Sequence, residues 1–215
     1  MDRFTLRMER TNWKHGSRNV NYLVVSIAWQ GTSIPIVWEC LDRKGGSSNT
    51  DERIAVMGRV LNLIPIKRID NLLADREFIG YEWLDGLRQN KLSCRILVKS
   101  NNVVEHRSKK IAIDKLCRGV SINQAVMWHS KKKVSEVPLY IAARRTLKGL
   151  LIVVATKKPD SIIDDCSKRW SIKTMLGDLK NMGFDLESTH MTNLDRMEKM
   201  MGLLTIAVVW CLTTY

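Results

Sequence analysis

The sequence predicts a mixed α/β fold. Three observations carry this reading. β-type runs follow one another three times before residue 41, helical and β-type segments alternate from there to residue 99, and hydrophobic residues make up 45% of the chain. That hydrophobic share excludes a mainly disordered chain. A length of 215 residues corresponds to one domain or slightly more. A globule of this size buries roughly 70% of its unfolded surface and needs no staples.

The elements follow in order. Phe4–Glu9 alternates with a period of two: Phe4, Leu6 and Met8 on one side, Thr5, Arg7 and Glu9 on the other. This is a strand pattern. Asn19–Trp29 is rich in β-formers (Val20, Tyr22, Val24, Val25, Ile27), and Thr32–Cys40 is a third such run. Gln30-Gly31 between them predicts a hairpin, and Pro35 points to a strand start or an edge. Lys44–Asn49 reads as a loop, after which Asn49 or Thr50 caps a helix with Ile54, Met57 and Leu61 at helical spacing. Asp51 and Glu52 suit its dipole, and Pro65 marks its end. Ile69–Ala74 predicts a strand, Ile79–Arg88 a helix and Cys94–Lys99 a strand. Residues 100–150 are basic with scattered apolar spots. Leu150–Thr156 is a buried strand, Ser161–Met182 a helix with Gly183 as C-cap, and Leu194–Leu212 a last helix. The apolar run Met200–Cys211 falls short of the about 20 residues of a membrane span, so it predicts a buried terminal helix and no membrane partner.

The formal charge is +13. Residues 91–180 hold 20 basic and 7 acidic side chains and so carry the whole surplus. Such asymmetry points to a polyanion, most simply nucleic acid, although a solvated basic surface has the same composition. The five cysteines (Cys40, Cys94, Cys117, Cys166, Cys211) are odd in number and widely spaced, with no C-x-x-C. This argues against a zinc site and a disulfide framework, and for a reduced, cytoplasmic protein.

Three segments stand out for chemistry: Met8–Lys14 at the end of the first strand, Leu72–Phe78 at the end of the fourth, and the helix from Cys166 to Lys180. Carboxylates at the ends of neighbouring strands can share Mg²⁺ or Mn²⁺, and two such ions activate water and stabilise a leaving oxygen in phosphoryl transfer. One such carboxylate, Asp75, is equally an ordinary turn residue. On the helix, Cys166, Arg169, Lys173 and Lys180 lie at offsets of 0, 3, 7 and 14 and share one face. That face is either a stripe that clamps phosphates or a solvated basic face.

The chain resembles the DDE transposases of bacterial insertion sequences, in the IS-four-like branch. Members of that branch show an aspartate in a context like L-D-R-T-N-W-K and a second in a context like L-A-D-R-E-F. A helix then carries tyrosine, two residues, arginine, three residues, glutamate, six residues and lysine. This sequence has Arg10-Thr11-Asn12-Trp13-Lys14, Asn49-Thr50-Asp51-Glu52-Arg53, Ala74-Asp75-Arg76-Glu77-Phe78, Arg169-Trp170, Lys180 with Gly183-Phe184, and Thr189-His190. The similarity runs from about Phe4 to Trp210. It implies a ribonuclease H-like mixed sheet flanked by helices, with a β-rich insertion before the last catalytic helix. Residues 1–100 would be the first part of that domain, 101–150 the basic insertion, and 151–215 its last strand, catalytic helix and C-terminal helix. It further implies Mg²⁺ or Mn²⁺ as cofactor, transposon-end DNA as partner, DNA strand cleavage and joining as activity, and, because the family pairs two ends, a homodimer on DNA.

The departures fall on the chemistry. The first acid position is Glu9, the second is Asp75 as in the family, and the third is Lys173. Glu9 and Asp75 would ligate metal. Among the DNA-binding positions, Cys166 replaces the tyrosine, while Arg169 and Lys180 match. Glu9 is one methylene longer than aspartate, and Mg²⁺ demands near-ideal octahedral geometry. Lys173 has no lone pair to offer a metal and adds a charge of the wrong sign. Two like charges near ~4 Å cost ~4 kcal/mol at an effective dielectric of about 20. Lys173 is instead expected to pair with Asp75 or Glu9. Cys166 lacks an evident base, so a lost tyrosine contact is the plainer reading than a nucleophile. The expectation is an inactive or impaired centre in a preserved scaffold. The alternatives are a catalytically silent DNA-binding module or a decayed fragment. With its first acid already at residue 9, the chain looks truncated at its N-terminus against that family.

Overall fold

The structure, a computed structural model, describes residues 3–15, 18–41, 48–158, 170–182, 186–189 and 191–214. The chain forms two compact units, Met1–Arg68 with Lys168–Tyr215, and Ile69–Ser167.

The first unit is built on three antiparallel strands, β1 (Phe4–His15), β2 (Arg18–Trp29) and β3 (Thr32–Leu41), in the order β3-β2-β1. The predicted hairpin joins β2 to β3. Gln30 and Gly31 both have positive φ, 42° and 81°, the turn whose twist matches the flanking strands. Pro35 sits opposite Ser26, next to a break in register at Val25/Ser26. β3 ends this unit's strand order, where a missing N–H is tolerated. β1 runs past the predicted end at Glu9, because Arg10 to His15 keep pairing with Leu23 to Arg18. The Arg10–Lys14 motif therefore lies within the strand and not beyond it.

Helix α1 (Thr50–Leu63) starts at Asn49 with a capping box. The Asn49 side chain accepts from Glu52 N, and Glu52 accepts from Asn49 N, both at 2.8 Å. Its buried face is Arg53, Val56, Met57 and Val60. Ile54 of the predicted stripe is exposed, and Arg53 replaces it because Ser48 takes up its guanidinium, with Nε donating to Oγ at 2.9 Å. Helix α4 (Trp170–Gly177) widens into a π-helical turn, Asp178–Met182, and α5 (Leu194–Thr214) closes the chain. Ile172, Met175, Leu176, Leu179, Met197 and Met201 from these segments pack with Trp13, Val20, Tyr22 and Val24 of the sheet. Leu6, Met8, Leu23, Val25 and Val37, on the opposite face, are buried too.

The expected buried terminal helix is not observed. α5 buries Met197 and Met201, while Leu203, Ile206 and Trp210 are exposed. Its first half meets the sheet most closely, with Trp38 Nε1 donating to Glu198 O (3.1 Å) and Cys40 N to Glu198 Oε1 (3.0 Å), while Leu204 and Val208 further along pack half-buried against the same cluster. By length and composition α5 is also long and apolar enough to cross a membrane. Extending to Thr214 gives it the length that the apolar run alone lacked.

The second unit holds a mixed sheet. β4 (Ile69–Ala74), α2 (Tyr81–Gln89) and β5 (Cys94–Val98) form a βαβ unit, with β4 and β5 parallel. β11 (Gly149–Ala155) lies antiparallel on β5, and β10 (Val137–Thr146) antiparallel on β11. β8 (Ala125–Met127) and β9 (Lys132–Val134) pair with β10, and the hairpin of β6 (Val103–His106) and β7 (Lys109–Ala112) joins through β9. A single turn, α3 (Ile113–Leu116), follows β7. Scattered apolar residues thus hid four short strands and the ten-residue β10 between residues 100 and 150.

Candidate metal and nucleic-acid site

Glu9 lies in the middle of β1, opposite Val24, and is 7% exposed. It reaches that depth because α4 covers the strand face to which Thr5, Arg7 and Glu9 belong. Lys173 projects from α4, with Nζ 3.8 Å from Glu9 Oε1. Lys180, in the π-helical turn, donates to Asn12 O at 3.2 Å. Together with Arg10, Thr11, Leu176 and Gly177 these residues line a cavity of about 240 Å³. The sequence placed Lys173 and Lys180 on one regular helical face, and the structure brings both to one cavity across a change of helix type. Of the two carboxylates offered as partners for Lys173, the structure supplies Glu9.

Arg10 and Asn12 organise the neighbouring surface. Arg10 Nη1 donates to Asn12 Oδ1 and to Asn21 Oδ1, each at 2.7 Å. Trp13 turns inward, donates to Thr11 Oγ1 at 3.2 Å and packs its ring 4.5 Å from that of Tyr22.

Arg7 is a residue that sequence reasoning missed. The alternation put it on the same side as Glu9 but gave no sign that the side is covered. Arg7 is 2% exposed. Its Nη1 donates to Thr32 O (2.7 Å), Ser33 Oγ (2.5 Å) and Ser171 Oγ. Every one of these acceptors is neutral, and Nε has no acceptor among the described residues. Burial lowers the guanidinium pKa to about 10, which leaves it charged at neutral pH.

Asp75 belongs to the second unit. It follows β4 directly, is half-buried, and caps its own turn: Arg76 N donates to Oδ1 at 2.7 Å and Phe78 N to the main-chain oxygen at 3.0 Å. Cys166 and Arg169 lie outside the described residues, as do Gly183 and His190. The described cysteines, Cys40, Cys94, Cys117 and Cys211, are free thiols.

As a metal site the donor set fits poorly. Among the described residues no three of His, Cys, Asp and Glu come together. Within the first unit the Glu9 carboxylate already faces an ammonium. Mg²⁺ and Mn²⁺ take oxygen ligands, and an ammonium provides none.

The family model for the transposase DDE domain matches residues 1–210. The chain belongs to the DDE transposases. Among solved structures, this DDE-family chain is similar to the piggyBac transposase seen by cryo-electron microscopy in a synaptic complex with hairpin DNA. The two share 14% identity and a TM-score of 0.55 over 96% of this chain and 46% of that one. The chain thus spans about half the length of that transposase. At this identity the likeness concerns the fold, and it agrees with the ribonuclease H-like, mixed α/β class expected from the sequence. The NurA nuclease from Sulfolobus solfataricus is also similar, at 6% identity and a TM-score of 0.38, over 80% of this chain and 73% of that one. No curated protein matches. DDE transposases generally use divalent metal, which sets their chemistry against the Glu9–Lys173 contact in this member.

Proposed function

We propose that this chain is a transposase domain of the IS-four-like branch that binds DNA at transposon ends but is impaired in cleaving and joining strands. The observation that carries the reading is the ammonium of Lys173, 3.8 Å from Glu9 Oε1. Glu9 and Asp75 stand at the first two acid positions of the family pattern, and Lys173 stands at the third. A cation there neutralises the carboxylate that a metal would need and repels the metal itself.

DNA binding rests on other residues. Lys180 keeps its family position beside Arg10 in the cavity, and Arg169 keeps its own in the sequence. Arg107, Lys109, Lys115, Arg118, Lys131, Lys133, Lys148, Lys157 and Lys158 are exposed. Phosphate contacts from such side chains give affinity with little sequence information. The solved relative named above carries hairpin DNA in its synaptic complex, which supports the same class of partner here. The synaptic form of that complex supports a homodimer on DNA as part of the same proposal.

Fluorescence anisotropy with a duplex of transposon-end sequence tests this reading. Binding is expected at about 50 mM salt, falling steeply toward about 200 mM, with no strand nicking on addition of Mn²⁺. Absence of binding at the lower salt, or efficient nicking, overturns it.

A further inference from the structure

We propose that the outward face of α5 is a self-association surface, on which a second copy of this chain lays its own α5 antiparallel. The inference rests on the homodimer in the reading above, gives it a surface, and is tested without DNA.

Three observations carry it. First, α5 is apolar on two sides. Met197, Met201, Leu204 and Val208 belong to the cluster on the sheet. Leu203, Ile206 and Trp210 are 63%, 63% and 69% exposed. At about 100° per residue each set falls within about 60°, and the two sets lie on nearly opposite sides of the helix. The outer spacing of three and four residues is the one by which a helix seats its side chains between those of another helix.

Second, the outer stripe is charged at one end only. Toward the N-terminus it continues at the same spacing through Lys199 and Arg196, and toward the C-terminus it reaches Thr213. Met200 to Thr214 includes no charged side chain, and the last turn has no base to offset the negative end of the helix. Two parallel copies would set lysine against lysine and arginine against arginine. An antiparallel pair about a two-fold axis between Leu203 and Ile206 removes that conflict. Leu203 then meets the partner's Ile206, Lys199 meets the partner's Trp210, and Arg196 meets the partner's Thr213. The centre is apolar, each flank sets an ammonium against an indole, and each guanidinium lies by the negative end of the other helix.

Third, Lys199 also lines a groove of about 720 Å³, together with Trp38, Leu63 and Gly202. Leu63 is 64% exposed. The partner's Trp210, seated over Lys199, borders this groove and covers its apolar residues. A bilayer fits the same stripe less well. The first two turns of α5 carry Asp195, Arg196, Glu198 and Lys199, and a span would pull Met197 and Met201 out of the cluster they fill.

The test is sedimentation equilibrium of the full chain at micromolar concentration, without DNA. The wild type is expected to be a reversible dimer. Ile206→Glu and Trp210→Ala are each expected to weaken it at least ~10-fold, about 1.4 kcal/mol. Both positions are exposed, so circular dichroism melts should match the wild type, and Trp210→Ala carries the test if Ile206→Glu does not fold. Arg196→Glu combined with Thr213→Arg sets opposite charges across an antiparallel pair and like charges across a parallel one. That form is expected to dimerise more tightly than the wild type. The inference is overturned by a wild type that stays monomeric, whether or not it sediments with phosphatidylcholine vesicles. It is equally overturned by folded Ile206→Glu and Trp210→Ala forms that dimerise like the wild type, or by weaker dimerisation of the charge-exchanged form. A wild type that dimerises but fails to bind the transposon-end duplex at about 50 mM salt would overturn the DNA-binding reading alone, so the two failures are distinguishable.

Discussion

Two halves of one strand face behave oppositely. Toward the far end of β1, Trp13 joins Val20, Tyr22, Ile172, Met175, Leu176 and Leu179 in a continuous apolar cluster. Toward its start, Arg7 and Glu9 meet Ser171 and Lys173 through polar and ionic contacts. The same helix, α4, lies over both. The apolar end is enough to hold α4 on the sheet, because burying aromatic and aliphatic groups stabilises a contact far more than a half-exposed ion pair does. The acid positions can therefore change without loss of the scaffold. On the proposed reading, a lysine at residue 173 costs chemistry and leaves the architecture in place.

This contrast can be broken most severely at Trp13. Trp13→Ala is expected to cost about 3–5 kcal/mol of stability, measured by urea unfolding. A loss under about 1 kcal/mol would show that the polar end holds the helix instead. Lys173→Ala sharpens the contrast from the other side. Its ion pair is long and part-exposed, so the expected cost is at most about 1 kcal/mol by the same measurement. A cost above about 2 kcal/mol would make the pair a structural brace.

The smallest effect concerns pH. Burial raises the thiols of Cys40 and Cys94 to about 12 and that of Cys117 to about 11, from an unfolded value near 9. The folded chain holds these protons more tightly than the unfolded one. Their contribution to stability is complete below about pH 9 and is lost as pH rises toward 11–12. The melting temperature should therefore fall above pH 9. Cys40 packs against the apolar cluster, and Cys40→Ala should flatten part of that fall. An unchanged slope would place the base sensitivity elsewhere.

Much of the fold was legible because local signals were unambiguous. Alternation, the Gln30-Gly31 turn, the Asn49 cap and the apolar runs of β4, β5 and β11 each point to one structure. Other features depend on what covers an element, which a single sequence does not encode. In α1, Ile54, Val56, Met57, Val60 and Leu61 surround much of the helix, so periodicity could not choose the face that Ser48 and Arg53 finally decide. In α5 the apolar run looked like core, yet one side of it, Leu203, Ile206 and Trp210, is exposed while Met201, Leu204 and Val208 face the cluster. Glu9, Lys173 and Lys180 were singled out because a family pattern marks them, and the structure brings them to one cavity. Arg7 was not, because a charged residue in alternation reads as solvent-facing until a helix is known to lie over it. The clue that was available is its neighbour: Glu9, in phase with Arg7, belongs to a pattern that demands burial.

The π-helical turn at Asp178–Met182 makes the phase of this helix a matter of a single residue. Such a turn behaves as a one-residue insertion in an α-helix. Tightening it to the regular α pitch with every residue kept would rotate everything beyond it by about 100°. Leu179 would leave the cluster it fills, and the Lys180 amine would turn away from the Asn12 carbonyl. Spacing along the chain and position in space are thus decoupled here, so a signature of fixed intervals survives on paper while its last member answers to a different helical clock.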